Sequence, residues 1–206
     1  MPLSATSSND PLAALTRPFR GVIFDCDGTL ADTMPLHYRA WTEALQARSA
    51  AMSEALFYEL AGVPTVRIVS ILNERFGFTL DPEETAQAKE ELYEALLPQL
   101  APVERVVELV REYRGRYPMA VASGGLRRLV DKTLQALHLE GVFQAVCTAE
   151  DVVHGKPAPD LFLLAASRIG VPPEECVVFE DADLGLEAAR RAGMQAVDIR
   201  PWLPHP

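Results

Sequence analysis

The chain has 206 residues, 49% of them hydrophobic and 23% charged, enough for one or two domains with a sizeable core and too apolar for a disordered polymer. Twenty-nine acidic against nineteen basic residues give a net charge of −10, which argues against nucleic acid or an anionic membrane as partner and requires any bound anion to be held locally. Cys26, Cys147 and Cys176 match neither a zinc pattern nor a disulfide framework, so a reducing compartment is expected.

Residues 1–17 lack the basic start and unbroken apolar run of a signal peptide, and no stretch reads as a bilayer span. The expectation is a cytoplasmic protein with a loose arm over 1–17. From Gly21 the run Gly-Val-Ile-Phe-Asp-Cys-Asp is apolar and ends in acid, followed at once by Gly28 and Thr29. That is the pattern of a buried strand emerging into a cleft. Residues 33–99 carry only helical patterns, such as Ile68, Ile71 and Leu72, between breakers at Gly62, Pro64, Gly77 and Pro82. They read as an inserted helical cap over the carboxyl edge of the sheet, placed to close on a substrate.

Beyond the insertion, Val103, Val106, Val107 and Val110 recur at the helical period, and 119–122 reads as a strand. A helix carrying Leu126, Leu129, Val130 and Leu134 follows, then a strand over 142–147. A helix from about Ala158, with Leu161, Leu164, Ala165 and Ile169, leads to strands at 176–179 and 196–199. Alternation with short connections predicts an open α/β parallel sheet covered by helices on both faces, formed by 18–32 and 100–206. Ligands in such sheets bind at the carboxyl ends of the strands.

Those strand ends carry complementary chemistry. Asp25 and Asp27 flank Cys26, and strand alternation sends both side chains to one side. A lone Asp-x-Asp is more often a solvated turn or cap, but Glu180 and Asp181 end a second strand, and together the two pairs would line an oxygen site for Mg²⁺. Ser123, Gly124 and Gly125 close the strand at 119–122 before a helix, where backbone amides hold an anion. Lys156, between Gly155 and Pro157, is pinned near a helix start and aims one ammonium at a fixed place. Singly, a Ser-Gly-Gly is a turn and a loop lysine is solvated. Collectively they supply what phosphoryl transfer needs: Mg²⁺ and Lys156 neutralise the phosphate oxygens, Asp25 attacks to give an aspartyl-phosphate, and Asp27 donates to the leaving alkoxide and then deprotonates water.

At these residues the sequence resembles the haloacid dehalogenase superfamily of phosphatases, from about residue 20 to 200. Asp25-Cys26-Asp27-Gly28-Thr29-Leu30 looks like its first motif, Ser123 its second, Lys156 in Gly-Lys-Pro-Ala-Pro-Asp its third, and Glu180-Asp181 its fourth. The resemblance implies a Rossmann-like core with a small helical cap and dependence on Mg²⁺. It implies Asp25 as nucleophile and Asp27 as general acid/base holding the metal through its backbone carbonyl, with Asp181 a direct ligand and Glu180 adjacent. The sequence is similar to the β-phosphoglucomutase-like branch, and within it to sugar-phosphate phosphatases of the fructose-1-phosphate and 6-phosphogluconate type. Pro118-Met119-Ala120-Val121 and Val178-Phe179-Glu180-Asp181-Ala182-Asp183 carry that closer likeness. The mutases place Ser-Lys-Asn after the second-motif hydroxyl to grip a second phosphate. This chain has Gly125-Leu126-Arg127, with Arg127 or Arg128 as partial compensation, so hydrolysis is favoured over transfer.

In the insertion, His37 lies one helical turn from Trp41 and resembles the cap histidine of the mutase branch, against a plain reading as a solvated helical histidine. Arg67 offers a donor fork to a sugar hydroxyl, carboxylate or phosphate, against a plain surface arginine, and Trp41 reads as packing. The expected substrate contacts are therefore Thr29, His37, Arg67, Gly124 and Gly125. The expected partner is a small phosphorylated metabolite such as fructose 1-phosphate, with no protein partner implied. A hexose-phosphate mutase, a phospho-receiver domain and a non-catalytic metabolite binder are the alternatives.

Overall fold

The computed structural model describes residues 12, 15–61 and 63–203. Most of the arm expected over 1–17 and the breaker Gly62 lie outside the described residues. The chain divides into two compact units, Met1–Asp32 with Ala101–Pro206, and Thr33–Leu100.

In the first unit, strands β1 (Gly21–Phe24), β4 (Met119–Ala122), β5 (Ala145–Cys147), β6 (Cys176–Glu180) and β7 (Gln195–Asp198) form a parallel sheet in the order β5-β4-β1-β6-β7. This is the Rossmann-like α/β sheet that the alternation predicts. Connections run outward from central β1 in both directions, so the carboxyl ends of β1, β4 and β6 flank the point where strand order reverses, the usual ligand crevice of such sheets.

Side-chain alternation divides the core into two layers. Val22, Phe24, Val121, Val177 and Phe179 face helices α5 (Glu104–Tyr113) and α6 (Arg127–Ala136), while Ile23, Ala120, Ala122 and Val178 face α7 (Asp160–Arg168) and α8 (Asp183–Arg191). Each fully buried Phe or Val side chain contributes about 1.5–3 kcal/mol over exposure.

Several expectations shift. The strand expected over 142–147 shortens to Ala145–Cys147, because Gly141 is left-handed at φ 67 and Val142 N closes a turn on Leu139 O at 3.3 Å. Leu126 is the N-cap of α6 and 45% exposed rather than a packed helical residue. The helix expected from Ala158 starts at Asp160, since Ala158 N is spent on a turn to Gly155 O at 3.0 Å. The last strand sits one residue earlier, and β6 includes Glu180.

A short antiparallel pair, β2 (Ala31–Asp32) with β3 (Ala101–Pro102), has no counterpart in the sequence reading and joins the chain's exit from this unit to its return. Residues 16 and 17, expected to be loose, are tied down by Gln195: its Oε1 accepts from Thr16 N and Arg17 N at 2.9 Å and its Nε2 donates to Arg17 O at 2.9 Å.

The second unit is helical: α1 (Met34–Gln46), α2 (Glu54–Glu59), α3 (Thr65–Phe76) and α4 (Pro82–Leu96). Asp81 caps α4 by accepting from Glu84 N at 2.9 Å, with Pro82 in the first turn, and Gly77 ends α3 in the left-handed region. Its core joins Trp41, Leu45, Phe57, Ile68, Val69 and Leu72. Among the described residues no helix is long and apolar enough to cross a membrane.

Candidate active site

Three strand ends and one loop of the first unit build a single cluster. Beyond β1, Asp25 N still donates to Phe179 O at 3.0 Å, so strand pairing fixes the backbone that bears its carboxylate. The chain then turns tightly: Cys26 O accepts from Leu30 N and Ala31 N at 3.0 and 3.1 Å, and Gly28 takes φ 86. A Cβ on Gly28 would lie 2.3 Å from Asp181 Oδ2, so glycine is required both by conformation and by the approach of that carboxylate. Thr29 Oγ1 donates to Asp181 Oδ1 at 2.8 Å.

Lys156 Nζ donates to Asp25 Oδ1 at 2.5 Å and to Glu180 Oε2 at 2.7 Å, and lies 5.0 Å from the centre of the Phe162 ring. The other oxygen of Glu180 accepts from Asp181 N and Ala182 N at 3.1 and 2.9 Å at the start of α8. Oxygens of Asp25, Glu180 and Asp181 all lie within 4.8 Å of one another.

Asp27 parts from this trio. Its Oδ2 accepts from Ser123 Oγ at 3.3 Å, and Ser123 Oγ accepts from Gly125 N at 2.9 Å. The structure thus brings Asp25, Glu180, Asp181, Lys156 and Thr29 together, and Asp27, Ser123 and Gly125 together beside them. Asp27 lies outside the three-carboxylate group, beyond the end of β1 at Phe24 and next to the turn at Gly28. Gly124 follows Ser123 with open space where a Cβ would stand.

Burial, then the charge of Glu180, pushes the Asp25 carboxyl well above its ordinary range, against the opposing field of Lys156. Burial and then Glu180 push Asp181 up to about 7, against the Thr29 hydrogen bond. For Lys156 burial works against the charge, but Asp25 and Glu180 outweigh it and raise its pKa. Burial, followed by Asp27 and Asp25, raises the Cys26 thiol and keeps it protonated. One ammonium among three clustered carboxylates leaves an excess of negative charge, and an all-oxygen donor set with that excess fits a hard divalent cation such as Mg²⁺.

The remaining expected contacts belong to the helical unit. His37 stacks on Tyr93 with ring centroids 3.8 Å apart, and its Nδ1 lies 2.9 Å from Lys89 Nζ. Arg67 Nη1 is paired with Glu74 Oε1 at 2.8 Å, with half of its side chain exposed. Arg127 Nη2 is held by Asp151 Oδ2 at 2.6 Å and Val146 O at 2.9 Å, which commits its guanidinium to the protein rather than to a second phosphate. Sequence reasoning missed Lys89, buried within α4, and Asp151, whose Thr148-x-x-Asp151 capping box was the signal available.

Residues 19–193 match the family model of the haloacid dehalogenase-like hydrolases. The chain belongs to that family. It is 43% identical to the fructose-1-phosphate phosphatase YqaB of Escherichia coli over 182 residues, covering 88% of this chain and 97% of the relative. It is 32% identical to a phosphorylated carbohydrates phosphatase of Thermotoga maritima, covering 85% and 82%. Among solved structures, CbbY of Rhodobacter sphaeroides in complex with phosphate superposes with a TM-score of 0.78 at 27% identity, covering 86% and 84%. The likeness to the fructose-1-phosphate type read from the sequence is borne out, and the chain is a hydrolase of the phosphatase type.

Proposed function

We propose that this protein is a Mg²⁺-dependent phosphatase that hydrolyses a small sugar phosphate such as fructose 1-phosphate through an aspartyl-phosphate on Asp25. The observation that carries the reading is the position of Lys156, whose ammonium bridges Asp25 and Glu180 beside Asp181. The names of the two phosphatase relatives support a sugar phosphate as substrate. Three free, buried cysteines support the cytoplasm as location.

Asp25, Asp181 and Glu180 would hold the cation, with Asp27 contributing from the turn. When bound, the ion neutralises phosphate oxygens and lets an anionic nucleophile approach them. Lys156 orients Asp25 and presents positive charge to the same oxygens. Attack by a carboxylate oxygen of Asp25 on phosphorus breaks the ester bond, and Asp27 delivers a proton to the departing sugar oxygen. Asp27 then takes a proton from the water that hydrolyses the acyl phosphate, which regenerates Asp25. The Gly124 amide is assigned to the phosphate, with Ser123 and Gly125 holding Asp27 beside it and Thr29 steadying Asp181, and His37 and Arg67 are assigned to the sugar. The Arg67–Glu74 pair is exposed and worth no more than about 1 kcal/mol, so its release costs little.

Asp25→Asn tests the reading. With fructose 1-phosphate and Mg²⁺, phosphate release falls by about 10⁴-fold or more, while circular dichroism and Tm stay near the parent's. Retained turnover in a clean preparation overturns Asp25 as nucleophile. With glucose 1-phosphate and a catalytic bisphosphate, inorganic phosphate rather than glucose 6-phosphate is the expected product.

A further inference from the structure

The loop that carries Ser123 takes its position from the segment after β5. Ser123 N donates to Cys147 O at 2.9 Å, Ala149 N to Gly125 O at 3.4 Å, and Arg127 N, at the start of α6, to Glu150 Oε2 at 2.5 Å. One carboxylate organises that segment in turn. Asp151 Oδ2 accepts from Thr148 N at 2.8 Å, Thr148 Oγ1 at 3.2 Å and Arg127 Nη2 at 2.6 Å, and Oδ1 accepts from Arg168 Nη2 at 2.9 Å.

Both arginines also donate to Val146 O, at 2.9 and 3.1 Å. Strand β5, the amino end of α6 and the carboxyl end of α7 therefore meet at Asp151. The Arg168 hydrogen bond, with that of the Thr148 amide, holds the Asp151 carboxyl down at about 2, so it stays ionised across the neutral range.

We propose that Asp151 is a positioning residue for the Ser123 hydroxyl and, through it, for Asp27. Holding residues 148–151 holds Gly125, whose N–H donates to Ser123 Oγ at 2.9 Å; that hydroxyl spends its one proton on Asp27 Oδ2 at 3.3 Å. The inference rests on the phosphatase reading, in which Asp27 moves the proton. A carboxylate displaced by a fraction of an ångström binds its substrate as before but transfers the proton less well, so the cost falls on kcat more than on KM.

Asp151→Asn is compared with Glu175→Gln, a matched control that removes an exposed carboxylate from its 3.0 Å pair with Arg20 ahead of β6. Activity on fructose 1-phosphate and residue-resolved amide exchange are measured with the full chain. For Asp151→Asn, kcat falls about tenfold, KM stays within about twofold, and Gly125 N–H exchanges about tenfold faster while β6 amides are unchanged. Glu175→Gln keeps parental kcat and parental exchange at Gly125. If Asp151→Asn does not fold, Arg168→Met, which spares the capping box and the Arg127 pair, gives the same pattern with about a threefold loss of kcat. Parental Gly125 exchange and kcat in the folded variant overturn the proposal, as does an equal loss in the Glu175 control. A parent chain without turnover refutes the phosphatase reading instead, and Gly125 exchange alone then decides the role of Asp151.

Discussion

Among the described residues two lysines, one in each unit, are largely withdrawn from solvent, Lys89 buried and Lys156 with 12% of its side chain exposed, and their surroundings differ in a way that separates chemistry from packing. Lys89, 3% exposed, lies 3.2 Å from Glu90 Oε1 and 2.9 Å from His37 Nδ1, over the rings of Trp41 and Tyr93 at 5.9 and 5.4 Å. Its setting offers a carboxylate, an imidazole nitrogen and π faces. Lys156 sits among three carboxylates, two of which it bonds. Burial of a charge is tolerated in both places, and around Lys156 three clustered carboxylates outnumber the one ammonium. That excess carries an energetic cost unless something else binds there, which on the proposed function is a cation and the substrate's phosphate.

Replacing the two lysines in turn sharpens the contrast. Lys156→Met removes the positive charge that meets the phosphate, and phosphate release falls about 10³-fold. In cation-free buffer the same change deprives Asp25 and Glu180 of their shared ammonium and costs about 3–5 kcal/mol in a urea melt, part of which added Mg²⁺ restores. Lys89→Met strands Glu90, whose Oε2 has no hydrogen-bond partner and whose Oε1 keeps only Thr65 Oγ1 of its two donors. It also costs about 3–5 kcal/mol, but the double variant Lys89→Met, Glu90→Leu regains most of that because an apolar pair can fill the space. A Lys89 variant whose loss Mg²⁺ repaired as it repairs Lys156→Met would erase the distinction between the two sites.

A smaller perturbation leaves every charge in place. Gly185 in α8 lies so close to Glu180 that a Cβ there would meet Glu180 Oε2 at 2.0 Å, inside any permissible contact. Gly185→Ala must therefore swing the carboxylate off Lys156 or move the helix start. Mg²⁺ affinity measured by calorimetry drops about 10- to 100-fold, whereas an alanine at Gly124, where a Cβ meets open space, leaves it unchanged.

The two lysines also show why some of the site was legible and some was not. Lys156 stands out in the sequence because Gly155 and Pro157 restrict the backbone on either side, and because acidic strand ends elsewhere give it something to meet. Lys89 sits in Gln-Ala-Lys-Glu-Glu-Leu-Tyr, where charged neighbours read as a solvated face. Its placement shows only once Thr85, Ala86, Tyr93 and Leu96 are seen to share the buried stripe of α4. The sheet was legible from hydrophobic alternation alone, since five apolar runs separated by helical periods admit few topologies. The pairing of Asp27 with Ser123 was not, nor was the need for glycine at Gly28, because each depends on a partner far along the chain, Ser123 96 residues on and Asp181 153 residues on. Gly185 was hidden for the same reason: a glycine's necessity lies in what approaches it.

The excess of negative charge also gives the site a pH signature with a definite sign. Asp25 and Asp181 have folded pKa values raised above the ordinary 3.8, Asp181 to about 7, so without a cation the folded chain holds these protons more tightly than the unfolded chain. Their contribution to stability is fully present below pH 3.8 and drains away as the pH rises through about 7. A divalent ion acts in the opposite direction, because it binds the ionised carboxylates and displaces those protons. The Tm gain from saturating Mg²⁺ is accordingly near zero at about pH 5 and grows to a few degrees by about pH 8. Calorimetry in two buffers of different ionisation enthalpy shows proton release on Mg²⁺ binding near neutrality. A Tm gain that stays flat across this range would place the ion somewhere other than Asp25, Glu180 and Asp181, and the contrast between the two lysines would then need another cause.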